Sequence, residues 1–420
     1  MELKNLIKKF VPSPLLNFYH LSLSFLGAVF YGFPSRKLRV IGVTGTNGKT
    51  TTTEMITKIL EDNGFGVALA NSIRFKIKEK EEKNELRMTM PGRAFLQKFL
   101  RKAVKEKCQY AVLEVTSEGI IQYRHKFIDF DAAILTNLSP EHIERHAGFE
   151  NYKRAKAELF QATKNIHIIN LDDKNADYFL QFRAKEKYLY RKVNGKEPMA
   201  KIEIQKEGFS KTLKFPLSLN LLGDFNIYNA LAAVCLGLSQ GIDLAKCKRS
   251  LASFRGVEGR MEEVISEPFR AIVDYAFTPN ALEKVYQTLV NRFIKQTNAQ
   301  LICVLGACGG GRDKWKRPVL GKIAAKYCNK VILTNEDPYD EDPMEIINQV
   351  AEGTQSQQSK SVYKILDRRE AIKKSLQLAK KGDVIIITGK GCEPSICLAQ
   401  GKKIPWDDRR VLREEFEKNL

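Results

Sequence analysis
The chain has 420 residues, a hydrophobic content of 43% and a formal net charge of +20. That length exceeds one ordinary core and implies about two or three domains, and the apolar fraction excludes a disordered chain. The charge favours anionic ligands such as nucleotides, phosphates or acidic lipids, while the lack of a zinc-ribbon spacing, an RNA-recognition signature or a long arginine-rich tract argues against nucleic acid.

The opening segment, residues 1–37, carries no cleavable signal pattern. Leu15–Phe33 is apolar but interrupted by Asn17, His20, Ser22, Ser24 and Gly27, and is flanked by Lys8, Lys9, Arg36 and Lys37. A spanning helix needs about 20 mostly apolar residues. The segment therefore reads first as a helix packed on the protein, and second as an interfacial anchor giving peripheral membrane contact.

From residue 38 strands alternate with helices. Leu38–Val43, Ala111–Val115, Ala132–Leu135 and Ile166–Ile169 read as buried strands, and Lys49–Asp62, Tyr152–Thr163 and Phe225–Gln240 as helices. Lys187–Phe215 is charged and alternating, and reads as a small antiparallel excursion. A second alternating run has strands at Ala271–Asp274, Leu301–Leu305, Lys330–Leu333 and Val384–Thr388. Helices at Pro279–Phe293, Pro343–Ala351 and Arg368–Lys381 separate them. The expected fold is α/β: a central P-loop ATPase-like parallel sheet domain over 38–255, then a C-terminal Rossmann-like α/β domain over 256–420. Arg255–Gly259 is the expected hinge. The eight cysteines are scattered and read as reduced thiols.

Gly42-Val43-Thr44-Gly45-Thr46-Asn47-Gly48-Lys49-Thr50-Thr51 follows a strand and opens a helix. Glycines let the backbone wrap phosphate oxygens, and the helix N-terminus offers unpaired N–H groups. Lys49 reaches the β/γ-phosphates and Thr50 supplies a hydroxyl for Mg²⁺. Glu114 ends one apolar strand and His142 lies just beyond another, where parallel strands line a ligand crevice.

In this order the motifs resemble the Mur ligase family, most closely its members that add the third residue of the peptidoglycan peptide. Gly45 to Thr51 resembles the family's phosphate loop. Glu114-Val115-Thr116-Ser117-Glu118 resembles its Glu-Val-Ser-Ser-His motif, Thr136 to His142 its strand-to-His segment, and Gly223 to Asn229 its Gly-x-x-Asn-x-x-Asn signature. Asp274-Tyr275-Ala276, Gly309 to Arg317 and Gly389-Lys390-Gly391 fit its C-terminal domain.

The resemblance implies an ATP-dependent ligase of the cytoplasm, at the inner face of the membrane if the opening segment anchors it. It implies catalytic roles for Lys49, Glu114, His142 and Lys156. Thr50, Glu114, His142 and Lys156 would serve two Mg²⁺ ions, with Lys156 carbamylated. ATP would be held by Gly45, Thr46, Asn47, Gly48, Lys49, Thr50, Thr51, Asn226, Asp274 and Arg368. The muramoyl peptide and the incoming amino acid would meet Thr89, Ser117, Gln122, Arg124, Arg312, Asp337, Tyr339, Gly389 and Glu393. A folylpolyglutamate-type ligase, a zinc-ribbon amidase subunit and a catalytically inert nucleotide-binding scaffold are the competing readings. The residues that set off the first two are absent, and the retained metal set argues against the third.

Two departures from the family pattern carry expectations. Fewer than forty residues precede the phosphate-loop strand, too few for the family's uridine-gripping domain. Diaminopimelate-adding members carry Asp-Asn-Pro-Arg where this chain has Glu336-Asp337-Pro338-Tyr339. Tyrosine cannot make arginine's forked carboxylate pair. With Asp337, Asp340, Glu341 and Asp342 nearby, a lysine-like substrate is expected over diaminopimelate.

Overall fold
The computed structural model describes residues 13–193, 199–217, 219–295, 297–356 and 361–418. Lys8 and Lys9, expected to flank the opening helix, lie outside the described residues. In the first half the elements are α1 (Ser13–Phe30), β1 (Arg39–Thr44), α2 (Lys49–Asp62), β2 (Val67–Ala70), β3 (Arg74–Ile77), β4 (Lys80–Lys83) and α3 (Arg93–Lys105). They continue with β5 (Tyr110–Glu114), α4 (Ser117–Ile121), β6 (Phe130–Leu135), α5 (Ile143–His146), α6 (Phe149–Ala162), β7 (Ile166–Asn170) and α7 (Ala176–Leu180). Then come β8 (Glu186–Val193), β9 (Met199–Lys206), β10 (Phe209–Pro216), α8 (Phe225–Ser239) and α9 (Leu244–Ala252).

These strands form one sheet in the order β10-β9-β8-β7-β6-β1-β5-β2-β3-β4. The run from β8 to β2 is parallel. Strands β5 and β7 are buried end to end, and β1 from Val40 onward, because helices cover both faces. Helix α8 shows the same logic: Ala230 to Gly237 is buried without a break, wedged between the sheet and α2. The antiparallel excursion is an extension of this sheet, since β8 pairs parallel to β7 before β9 and β10 fold back.

The second half runs β11 (Glu262–Ile265), β12 (Arg270–Asp274), α10 (Pro279–Leu289), β13 (Leu301–Leu305), α11 (Lys316–Tyr327), β14 (Lys330–Leu333) and α12 (Pro343–Glu352). It closes with β15 (Ser361–Lys364), α13 (Arg368–Leu378), β16 (Val384–Thr388), β17 (Ser395–Cys397), β18 (Lys403–Pro405) and α14 (Asp408–Glu417). The sheet order is β11-β12-β16-β13-β14-β15, parallel except at β11. The helix expected over Pro279–Phe293 is regular only to Leu289 and continues as a π turn over Val290–Ile294.

Between the two sheets, Gly256 and Gly259 hold positive φ angles of 103° and 64°. A Cβ on Gly259 would lie 2.4 Å from the backbone nitrogen of Cys392, so only glycine permits this close approach.

Candidate active site
Strand β1 lies between β5 and β6, so the chain leaves the sheet there on opposite sides of one strand end. Such a reversal in strand order opens a crevice at the carboxyl ends. The phosphate loop fills it. Gly45 (φ 145°) and Gly48 (φ 80°) take conformations that side chains resist, and Gly48 directly precedes the first turn of α2. A Cβ on Gly45 would collide with the Thr136 hydroxyl, and one on Gly48 with the Asn229 amide oxygen. Asn47 is pinned from the β6 side, its N–H donating to Asn137 Oδ1 at 3.0 Å.

Charged groups converge on this loop. Lys49 Nζ lies 3.8 Å from Glu114 Oε1 and donates to the Thr46 carbonyl at 3.0 Å. Glu114, in register with Val43 on the neighbouring strand, accepts from the Thr50 hydroxyl at 2.9 Å and from the Ser72 N–H at 3.1 Å. Lys156 Nζ donates to the Gly45 carbonyl at 2.7 Å and sits 4.7 Å from the Tyr152 ring centre. The Tyr152 hydroxyl in turn hydrogen-bonds Thr46 Oγ1 at 3.1 Å.

Burial lowers the Lys49 pKa, opposed by Glu114. Burial lowers that of Lys156 further, with the Lys49 charge adding to the effect. His142 holds a positive φ of 56° at the entrance to α5. Burial, and then the charges of Arg312, Lys316, Lys156 and Lys49, depress its pKa to about 2, so its imidazole is neutral.

The second sheet closes over the loop. The combined cleft has a volume of about 1190 Å³ and is lined from both halves, including Lys49, Glu114, His142, Lys156, Asp274 and Arg312. Lys316 pairs with Glu141 at 3.0 Å, both side chains almost fully buried. Asp313 accepts from the N–H groups of Ile143 and Glu144 at 3.2 and 3.1 Å, clamping the first turn of α5. Arg87 reaches across to Asp337 at 2.6 Å and Glu393 at 2.7 Å.

Of the residues expected from sequence, Gly45 to Thr51, Thr89, Glu114, Ser117, Arg124, His142, Lys156, Asn226, Asp274, Arg312, Tyr339 and Glu393 line this one cleft. Four stand back from it: Gln122, Gly389, Asp337 and Arg368. Gln122 accepts from Arg124 at 2.7 Å, behind the wall. At Gly389, φ 107°, a Cβ would meet Glu336 Oε2 at 2.4 Å. Asp337 is held by Lys390, Arg87 and the Cys397 N–H.

Arg368 is placed differently from its expected ATP contact. Its guanidinium makes two bonds to Asp408, at 2.8 and 2.7 Å, and two more to the carbonyls of Asn335 and Thr388. It is 2% exposed and ties α13 to α14.

The acidic run expected to draw an ammonium group is also spent within the fold. Glu341 pairs with Arg317 at 3.0 Å, Asp340 accepts from the Gln400 N–H, and Asp342 caps α12. The basis for preferring a lysine-like substrate therefore falls away. Arg87, Ser72, Lys316 and Arg260 were not singled out in the sequence. Arg87 and Ser72 lie in loops without a motif, and a lone arginine or serine carries no local signal.

Residues 43–237 match the Mur ligase middle domain and residues 259–391 the Mur ligase glutamate ligase domain. The chain is 38% identical to a UDP-N-acetylmuramoyl-L-alanyl-D-glutamate–2,6-diaminopimelate ligase of Syntrophomonas wolfei, covering 94% of this chain and 81% of that protein. The chain belongs to the Mur ligase family. A UDP-N-acetylmuramyl-tripeptide synthetase of Roseiflexus is 35% identical over 96% of this chain and 84% of its own length.

Among solved Mur ligase structures, one of a UDP-N-acetylmuramoyl-L-alanyl-D-glutamate–2,6-diaminopimelate ligase superposes with a TM-score of 0.57 at 30% identity, covering 91% of this chain and 79% of that one. The MurF ligase of Thermotoga maritima shares the fold at 20% identity, with a TM-score of 0.65 and coverage of 94% and 84%.

Proposed function
We propose that this Mur ligase joins an amino acid to the carboxylate of a UDP-N-acetylmuramoyl-L-alanyl-D-glutamate acceptor, with ATP as the activating substrate. The observation that carries this is the meeting of Lys49, Glu114, His142 and Lys156 at one phosphate loop under a second sheet. The acceptor carboxylate oxygen bonds to the γ-phosphorus and ADP departs. The amine of the amino acid then attacks the acyl carbon, phosphate leaves and the amine loses a proton. Lys49 offsets the charge spread over the transferring group. The loop amides orient the triphosphate, and closure through Lys316–Glu141 and Arg87 excludes water that would hydrolyse the acyl phosphate.

The donor set fits Mg²⁺. Glu114 and the Thr50 hydroxyl supply oxygens, and the depressed pKa of His142 keeps a ring nitrogen free. Among the described residues no group of three or more His, Cys, Asp or Glu is placed to hold a metal ion. A carbamate on Lys156 would add the missing carboxylate. The reaction requires an unprotonated amine, which adds to CO₂ and releases one proton, and burial favours that form of Lys156. Mg²⁺ when bound supplies charge neutralisation on the triphosphate.

We assign the incoming amino acid to the diamino dicarboxylic class. Arg312 faces the cleft beside Tyr339, and Arg87 stands where Asp337 and Glu393 meet. The Arg312 guanidinium suits a distal carboxylate better than an ammonium, and Arg87, already matched by Asp337 and Glu393, holds the wall beside it. The same reading places the enzyme in the cytoplasm at the inner membrane face, where ATP and nucleotide-linked acceptors reside and where the apolar face of α1 finds a surface.

The test supplies ATP, the UDP-muramoyl dipeptide and a panel of amino acids, and identifies the product by mass. Turnover with diaminopimelate above that with lysine supports the assignment. Turnover with lysine alone overturns the amino-acid class, and no acceptor-dependent product overturns the function.

A further inference from the structure
Helix α1 is built inside out. Its sequence has no Asp, Glu, Lys or Arg. Leu15, Phe18 and Tyr19, and beyond Ser22 Leu26, Val29 and Phe30, follow three- and four-residue spacing, which stacks them on one face. All six are exposed, Phe18 by 68% and Phe30 by 81%. The opposite face holds the small and polar groups. Ser24 donates to the Tyr123 carbonyl at 2.8 Å, and Gly27 lies so close to α3 that a Cβ would sit 3.4 Å from Ala94 Cα.

A water-facing helix normally carries the reverse pattern, and an apolar patch of this kind marks an interaction surface. Basic residues border it. Arg36 and Lys37 are exposed just beyond α1. On α3, Lys98, Arg101 and Lys105 follow Ala94 at three- and four-residue spacing, on the side that meets α1.

We propose that α1 lies in the plane of an anionic lipid surface, its apolar face in the acyl boundary and these cations at the headgroups. Two copies docked through this face would bring their basic borders together, whereas acidic headgroups neutralise them. One side of α1 is committed to α3, and among the described residues no helix is long and apolar enough to cross a membrane. The inference stands on this surface and not on the ligase reading.

The experiment sediments the full chain with vesicles of phosphatidylcholine alone or mixed with phosphatidylglycerol, alongside ligase turnover and a thermal melt of each sample. The expected result is partition onto the anionic vesicles, weakened about tenfold or more by raised salt or by Lys98→Glu with Lys105→Glu. Phe18→Ser with Leu26→Ser and Phe30→Ser should abolish it with turnover and melting unchanged. Three results overturn the proposal: no partition onto anionic vesicles, partition undiminished by the triple substitution, or a concentration-dependent dimer in place of partition. Loss of turnover without loss of partition would count against the ligase reading alone.

Discussion

Lys156 donates from Nζ to the backbone carbonyl of Gly45 at 2.7 Å, fastening the middle of α6 to the first glycine of the phosphate loop. It is 2% exposed. A bare ammonium in that position is costly to bury, so the neutral amine is favoured. We predict that labelled bicarbonate gives a carbamate carbon signal in the native protein, absent in Lys156→Ala. Turnover of the variant should fall about 10³-fold, the scale for loss of one group that stabilises transition-state charge.

Lys316 and Glu141 form a buried pair across the two halves of the cleft. Removing one partner of such a pair costs ~3–5 kcal/mol, because the other charge stays buried. Here the molecule can escape that cost by opening. Glu141→Ala should therefore shift the population to an open form, visible as a larger radius of gyration in solution scattering. Turnover should drop more than ATP affinity does.

Arg87 joins the loop after β4 to Asp337 and Glu393. Arg87→Ala leaves these two carboxylates short of a cation, so the KM for a dicarboxylic amino acid should rise about 10- to 100-fold, the range for a charge-assisted hydrogen bond, with the KM for ATP near its original value. Lysine should be affected less. Steady-state kinetics on both amino acids checks this.

His167 lies on β7 with Nε2 against the carbonyls of Phe160 and Thr163, at 3.1 and 3.0 Å. Burial lowers its pKa from 6.5 to about 4. Between those values the unfolded chain takes up the proton and the native chain does not, so stability falls as pH drops from 6.5 toward 4. The slope from this group is at most about 1.4 kcal/mol per pH unit. His167→Gln should remove that share of the slope in melts recorded across the window.

Much of this site was legible because its residues sit in contiguous motifs. The phosphate loop, Glu114 and His142 each follow an apolar strand, and the strand-end rule places them together. Arg368 misled because it lies in the expected order along the chain, while its partner Asp408 is 40 residues on. The acidic run at 337–342 misled for the same reason: its cations, Arg87, Arg317 and Lys390, are distant in sequence. Local pattern reveals a charge, and only the fold reveals whether that charge is already matched. For α1 the sequence left two readings, a packed helix and an interfacial anchor, since apolar content alone does not say which side of a helix is packed.

The acyl-phosphate route is tested most directly by labelling the acceptor carboxylate with ¹⁸O and following the label into released phosphate. The account predicts one ¹⁸O per phosphate in every turnover by the native enzyme, and no labelled phosphate from Lys49→Ala. Phosphate free of label during amide formation by the native enzyme would contradict it.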